Sequence, residues 1–372
     1  MLLNAPIQTA AVFGGHCVKR QKRNPRSLNY FLDSMGHIPM HVSRWASTAT
    51  LLVSALLLCS AVRSAGAAGV STTLVPPTGQ DAAIEVLIWS PCNSTPFEMR
   101  MGPYVVRARK DCAVAGGSLP LVVISHGQGG TRLSHHDTAT ALADAGFVVA
   151  SFNHPGDSFG DDNSTNKIGI FGSRPAHVSR VISHMIDHWT GRGALDSHAV
   201  GVFGFSRGGY TALALAGAVP SATASASRFC GFWQSFVTPI CRQLDGINNA
   251  FKAQPDPRVR AIVAADALNL FDASSFREVK VPVQLWASEL GGAGVELAHT
   301  RQIQQWLPHA PGVSVAKGAG HFSFLAPCTE EFRKEARAIC EDPRGFDRKQ
   351  WHATMNGAVS EYFMKTLRSA AK

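Results

Sequence analysis

The chain has 372 residues, 45% of them hydrophobic, which is enough for one sizeable core and too apolar for a disordered polymer. Its formal net charge is +9, but residues 1–67 hold seven of the 35 Lys and Arg and one of the 26 Asp and Glu, which leaves +3 for the rest. A nearly neutral body, with no Lys/Arg cluster interleaved with aromatics, excludes nucleic-acid binding as its function.

The first element is a leader. From Met40 the sequence reads MHVSRWASTATLLVSALLLCSAVRSAGAAGVS, with Arg44 as a positive start, an apolar run over 46–62, and Ala65 and Ala67 at an A-x-A site. This is a secretory signal pattern with cleavage after Ala67. The run is shorter than the roughly 20 apolar residues of a membrane span, so no stable span is expected after cleavage. Translation is expected to start at Met40, with residues 1–39 an overrun or a longer leader. The expected organisation is therefore a leader over 1–67 and one domain over 68–372, periplasmic or secreted. Six cysteines remain in that domain: Cys92, Cys112, Cys230, Cys241, Cys328 and Cys340. An even count in an exported chain predicts three disulfides; of the 15 connectivities that six cysteines allow, the preferred one joins sequence neighbours, 92–112, 230–241 and 328–340.

Strands and helices then alternate. AIEVLIWSP and YVVRAR read as an early antiparallel pair at a sheet edge. LPLVVISHG is a continuous apolar run stopped by glycine, as in a buried parallel strand. DTATALADAG is a helix, FVVASFNH a strand, and PAHVSRVISHMIDHWTG a helix opening near Pro175. HAVGVFGF, RVRAIVAAD, VPVQLWASE and GVSVAKGAGH are further strands; RGGYTALALAGAV and the chain from Phe346 to Ser369 are helices. Such alternation predicts an α/β fold with a mainly parallel sheet flanked by helices. Residues 220–257 break the rhythm and read as a small lid-like insertion.

One turn carries the chemistry. Gly204-Phe205-Ser206-Arg207-Gly208 matches G-x-S-x-G between a predicted strand and a predicted helix. A sharp turn there holds the serine in a strained backbone, so the residues two before and two after it must lack side chains. Ser206 then stands at a helix N-terminus, where free N–H groups favour an oxyanion. His321, in the KGAGHFSF loop after the last strand, is the candidate base, since the acid and then the histidine follow the serine in this motif. Asp266 and Glu289 end consecutive strands between them, and either can orient the imidazole. The backbone N–H groups of Arg207 and of Gln128, in the SHGQGG loop, are the candidate oxyanion donors, with His126 shaping that loop.

The segments LVVISHGQGG, VVASFNHPGDS, RPAHVSRVI, GFSRGGYTALALAG and AGHFSFLAPC together resemble the predicted dienelactone-hydrolase group of α/β-hydrolases. That group is similar to platelet-activating-factor acetylhydrolases and polyester-degrading cutinase-like esterases. The resemblance spans about residues 80–370 and implies the α/β-hydrolase fold and a serine hydrolase of carboxylic esters. Two departures matter. Dienelactone hydrolase uses a cysteine nucleophile where this chain has Ser206, so lactone cleavage is not inherited. The GE-x-D acid turn of many α/β-hydrolases is SELG here, with Gly291 in place of the Asp. The acetylhydrolases place their acid one strand earlier, at Asp266, which is therefore favoured over Glu289.

Other groups of polar residues carry less. His184 and His188 sit four apart on a predicted helix without a third ligand, so no metal is expected. Asp157, Asp161 and Asp162 lack the spacing of a calcium loop and read as a polar loop near the site entrance. Asn93 and Asn163 match glycosylation acceptors. No phosphate-cradling or dinucleotide motif is present, so no cofactor is expected, and the partner is a small-molecule ester. Phe205, Phe229, Phe232, Trp233 and Phe236 are candidates for an apolar substrate pocket. An amidase or peptidase, or a non-catalytic binding protein of this fold, are the alternative functions.

Overall fold

The structure is a computed structural model that describes residues 67–230, 241–243 and 255–368. The predicted leader up to residue 66 and most of the insertion, including Phe232, Trp233 and Phe236, lie outside the described residues. Ten strands form one sheet: β1 (Ala67–Val75), β2 (Ile84–Cys92), β3 (Phe97–Met101), β4 (Tyr104–Lys110), β5 (Leu119–Ser125), β6 (Val148–Phe152), β7 (Leu195–Phe205), β8 (Val259–Ala265), β9 (Val283–Ser288) and β10 (Val313–Ala316). Their order is β10-β9-β8-β7-β5-β6-β2-β1-β4-β3. The run from β10 to β6 is parallel, and β2 enters antiparallel to β6.

Helices cover both faces. They are α1 (His136–Asp144), α2 (Ile170–Asp187), α3 (Arg207–Leu215), α4 (Ala222–Phe229), α5 (Leu297–Trp306), α6 (Glu330–Glu335), α7 (Arg337–Cys340) and α8 (Arg348–Arg368). Because successive strand residues point to opposite faces, Leu121 and Val123 pack with α2 and α3, whereas Val122 and Ile124 pack with α1 and α8. Every residue of β5 and β6 is buried, which is why both read as unbroken apolar runs. Strand β4 alternates buried and exposed residues because it lies near the sheet margin.

Two expectations need correction. The strands AIEVLIWSP and YVVRAR do not pair with each other, and the first is not at an edge. Strand β1 runs between β2 and β4, antiparallel to the first and parallel to the second. Its small residues AAG serve equally as strand and as cleavage-site pattern, which hid it in the sequence. Helix α2 begins at Ile170, five residues before Pro175. Proline has no N–H for the Phe171 carbonyl four residues earlier, and the buried Tyr210 hydroxyl donates to that carbonyl instead, at 3.2 Å.

Among the described residues there are three disulfides, Cys92–Cys112, Cys230–Cys241 and Cys328–Cys340, the sequence-neighbour pairing. The first links the end of β2 to the residues after β4, across the end of β1. Among the described residues no helix is long and apolar enough to cross a membrane.

Candidate active site

The carboxyl ends of three neighbouring strands meet at one place. Sheet register sets Ser125 of β5 beside Gly204 of β7, and Phe205 of β7 beside Ala265 of β8. The residues that follow these ends are His126, Ser206 and Asp266. Strand ends of an open parallel sheet are where backbone groups stand free to meet a ligand.

Ser206 has φ 56° and ψ −117°, a left-handed conformation costly for any residue with a side chain. The elbow that imposes it requires glycine on both sides. A Cβ on Gly204 would lie 2.0 Å from the Gly208 carbonyl oxygen, and one on Gly208 would lie 1.9 Å from that of Ser125. Ser206 then caps α3 with its hydroxyl directed at His321, whose Nε2 lies 3.0 Å from Oγ.

His321 begins a short 3-10 turn over His321–Phe324 and is 3% exposed. Its backbone N–H donates to Gly291 O at 2.8 Å, and its ring stacks on Phe205 at 4.7 Å between centroids. Phe205 is itself buried and also stacks on Phe324, so it supports the imidazole rather than lining an open pocket. The other ring nitrogen, Nδ1, lies 2.7 Å from Asp266 Oδ2. With Nδ1–H donating to the carboxylate, Nε2 is left to accept the serine proton.

Asp266 is fully buried, also in a left-handed conformation, with φ 46°. Its Oδ1 accepts the Ser288 N–H at 2.8 Å and its Oδ2 the Ser288 hydroxyl at 2.7 Å. Ser288 was not singled out in the sequence; as the residue before Glu289 in SELG it carried no motif of its own. Glu289 does not reach the histidine. It is exposed, and its Oε2 accepts the Gly318 N–H at 2.8 Å.

The Gln128 and Arg207 backbone N–H groups have no acceptor among the described residues. His126, just before that loop, is buried, and burial together with the Arg174 charge holds its ring well below the ordinary histidine range. The neutral ring donates from Nδ1 to Gly127 O at 2.6 Å and accepts the His154 N–H on Nε2 at 3.1 Å.

The expectation that Asp157 belongs to a polar entrance loop is wrong. Asp157 is fully buried and binds Arg174 at 2.6 Å, Arg207 at 2.8 Å and the Thr165 hydroxyl at 2.6 Å. A lone acid in a polar loop gives no sequence sign of two arginines that fold back over it. His184 and His188 stand with ring centroids 5.9 Å apart, and His184 Nε2 is bonded to the Thr73 hydroxyl at 2.8 Å. Among the described residues no cluster of three or more His, Cys, Asp or Glu could hold a metal ion.

Comparison with known proteins agrees with this architecture. Residues 108–252 match the dienelactone hydrolase family, a segment that includes the SHGQGG loop, Asp157, Arg174 and Ser206 but ends before Asp266 and His321. No curated protein sequence matches the chain. Among solved structures, it is similar to a ferulic acid esterase from Streptomyces cinnamoneus, at 16% identity and a TM-score of 0.54, over 83% of this chain and 92% of that one. A dienelactone hydrolase from Anabaena variabilis aligns at 17% identity and a TM-score of 0.44, over 81% of this chain and 99% of that one. With its mainly parallel sheet, helices on both faces and serine elbow after β7, the chain has the α/β-hydrolase fold.

Proposed function

We propose that this chain is an exported serine hydrolase of carboxylic esters. The observation that carries the reading is the continuous relay from Ser206 Oγ to His321 Nε2, at 3.0 Å, and from His321 Nδ1 to Asp266, at 2.7 Å. The match of residues 108–252 to a hydrolase family and the esterase named among the similar structures support it.

The chemistry follows from the geometry. His321 Nε2 takes the Ser206 proton as Oγ attacks the ester carbonyl, and Asp266 stabilises the imidazolium without accepting the proton. The carbonyl oxygen becomes an oxyanion held by the backbone N–H groups of Gln128 and Arg207, assisted by the N-terminus of α3. Collapse of this intermediate breaks the ester C–O bond, and His321 gives its proton to the leaving alcohol. Water, deprotonated by the same histidine, then hydrolyses the acyl-enzyme and frees Ser206. The three disulfides support export, since they persist in an oxidising compartment.

The test is hydrolysis of p-nitrophenyl esters from acetyl to long acyl chains by the purified protein, beside Ser206→Ala. Activity that vanishes in the variant is expected, and the chain-length profile measures the acyl pocket. A folded protein that cleaves none of them, or a variant as active as the parent, refutes the reading.

A further inference from the structure

Arg207 directly follows the proposed nucleophile, yet its side chain does not turn to solvent; the residue is 4% exposed. One terminal nitrogen donates to Asp157 Oδ1 at 2.8 Å and to the Thr165 carbonyl at 3.2 Å. The other donates to the side-chain oxygen of Gln128 at 2.6 Å. The guanidinium also lies over the Phe171 ring, 5.3 Å from its centroid. One residue therefore spans both halves of the proposed oxyanion hole, with its own backbone in one half and its side chain gripping the residue that supplies the other.

The rest of the loop is held differently. Arg174, sharing Asp157, donates to the His126 carbonyl and to Ser125 Oγ. The His126 ring closes on Gly127 O. Beyond Gly127 the chain turns, with the Gly130 N–H donating back to Gly127 O at 3.2 Å and the Gly130 carbonyl accepting the Phe159 N–H at 3.0 Å. Gln128 is exposed, and Gly129 after it has φ 62°. The Gly127 carbonyl, in the same peptide unit as the Gln128 N–H, accepts from His126 Nδ1 and from the Gly130 N–H, and the bond to Arg207 adds the anchor on the Gln128 side chain. Burial pulls both guanidinium pKa values down, Arg174 to about 10, and the shared carboxylate offsets it; both stay charged at neutral pH.

We infer that Arg207 is a positioning residue: through the side-chain oxygen of Gln128 its guanidinium aims the Gln128 backbone N–H at the oxyanion, and Asp157 holds the guanidinium in place. The inference rests on the ester-hydrolase reading above. A guanidinium with only a structural role would affect stability and leave turnover unchanged. A positioning role acts in the transition state, so kcat and kcat/KM fall together while KM holds.

The experiment uses p-nitrophenyl acetate and the full protein. Gln128→Ala keeps the backbone N–H and removes only the amide that Arg207 grips, at an exposed position that does not disturb folding. It is expected to lower kcat on the order of ten- to a hundredfold, up to the loss seen when one oxyanion donor is removed. KM should stay within about twofold, with an unchanged thermal midpoint. Arg207→Met should show the same kcat loss, Arg207→Lys a smaller one, and the Gln128→Ala/Arg207→Met double variant no more than the worse single. An active parent whose Gln128→Ala variant keeps its kcat, or a double variant whose losses multiply, overturns this inference alone. A parent that cleaves no ester overturns the hydrolase reading and the inference with it.

Discussion

Replacing Asp266 with Asn tests the relay at its most buried point. The side chain is isosteric, so the pocket beneath His321 keeps its shape. One carboxylate oxygen now accepts from His321 Nδ1 and from the Ser288 hydroxyl, and the other from the Ser288 N–H. In the amide, the oxygen best serves the fixed Ser288 N–H, which leaves the NH2 group facing the imidazole. His321 must then present a bare Nδ1 and carry its proton on Nε2, which lies 3.0 Å from Ser206 Oγ. A protonated Nε2 cannot accept the serine proton, and the imidazolium has lost its counter-charge. The expected fall in kcat is about 10⁴-fold, or about 5 kcal/mol at 1.36 kcal/mol per decade. Glu289→Gln should stay within about twofold of the parent, since that exposed carboxylate serves only the Gly318 N–H. Steady-state hydrolysis of p-nitrophenyl acetate by both variants, with circular dichroism to confirm folding, measures this. An Asp266→Asn enzyme within tenfold of the parent, or a Glu289→Gln enzyme that collapses, refutes the assignment.

Three further outcomes follow from the same geometry. Gly208→Ala should destabilise by about 3 kcal/mol or more, because its Cβ would meet the Ser125 carbonyl at 1.9 Å; an unchanged urea midpoint would contradict the elbow. Burial pushes His135 and His177 down to about 4 and holds His126 and His154 well below the ordinary range. The unfolded chain binds those protons near pH 6.5, so this stability is present above 6.5 and drains away as pH falls towards 4, on the order of 3 kcal/mol each for His135 and His177. At His352, burial acts downward but the Asp137 carboxylate outweighs it, and this raised group, like Asp144, pushed up by burial to about 6, has the opposite sign. Denaturant midpoints at pH 7.5, 6 and 4.5 should fall in that order, and a flat profile would remove the argument. Finally, intact mass should rise by six hydrogens on reduction, two for each of the three disulfides, and no change would remove the disulfide support for export.

The serine was legible because its constraint is steric and local: two glycines flank it, an apolar run precedes it and a helix follows. The histidine was legible from chain order. The acid was legible only through the resemblance, which favoured Asp266, because Asp266 and Glu289 both end buried strands and the residues alone do not say which strand end lies beside the proposed nucleophile. Strand order and register separate the two carboxylates in space. Strand β8 is the neighbour of β7, so Asp266 emerges next to Ser206, whereas β9 lies one strand further out and delivers Glu289 to the Gly318 turn.

The same reasoning explains why the buried charges went unread. Asp157, Arg174 and Arg207 are separated by 17 to 50 positions and meet only because the loop after β6, helix α2 and the start of α3 converge behind the SHGQGG loop. Taken singly, Asp157 read as part of a polar loop, Arg207 as a backbone donor and Arg174 as one residue of a helix. Removing Asp157 would leave two buried cations without their counter-charge, and the intact set has two cations against one anion. That net positive charge lies directly behind the peptide N–H groups proposed to meet the oxyanion. An arrangement needed only for folding would be expected to balance; this one is biased toward the sign opposite to that of the oxyanion that the proposed ester cleavage develops.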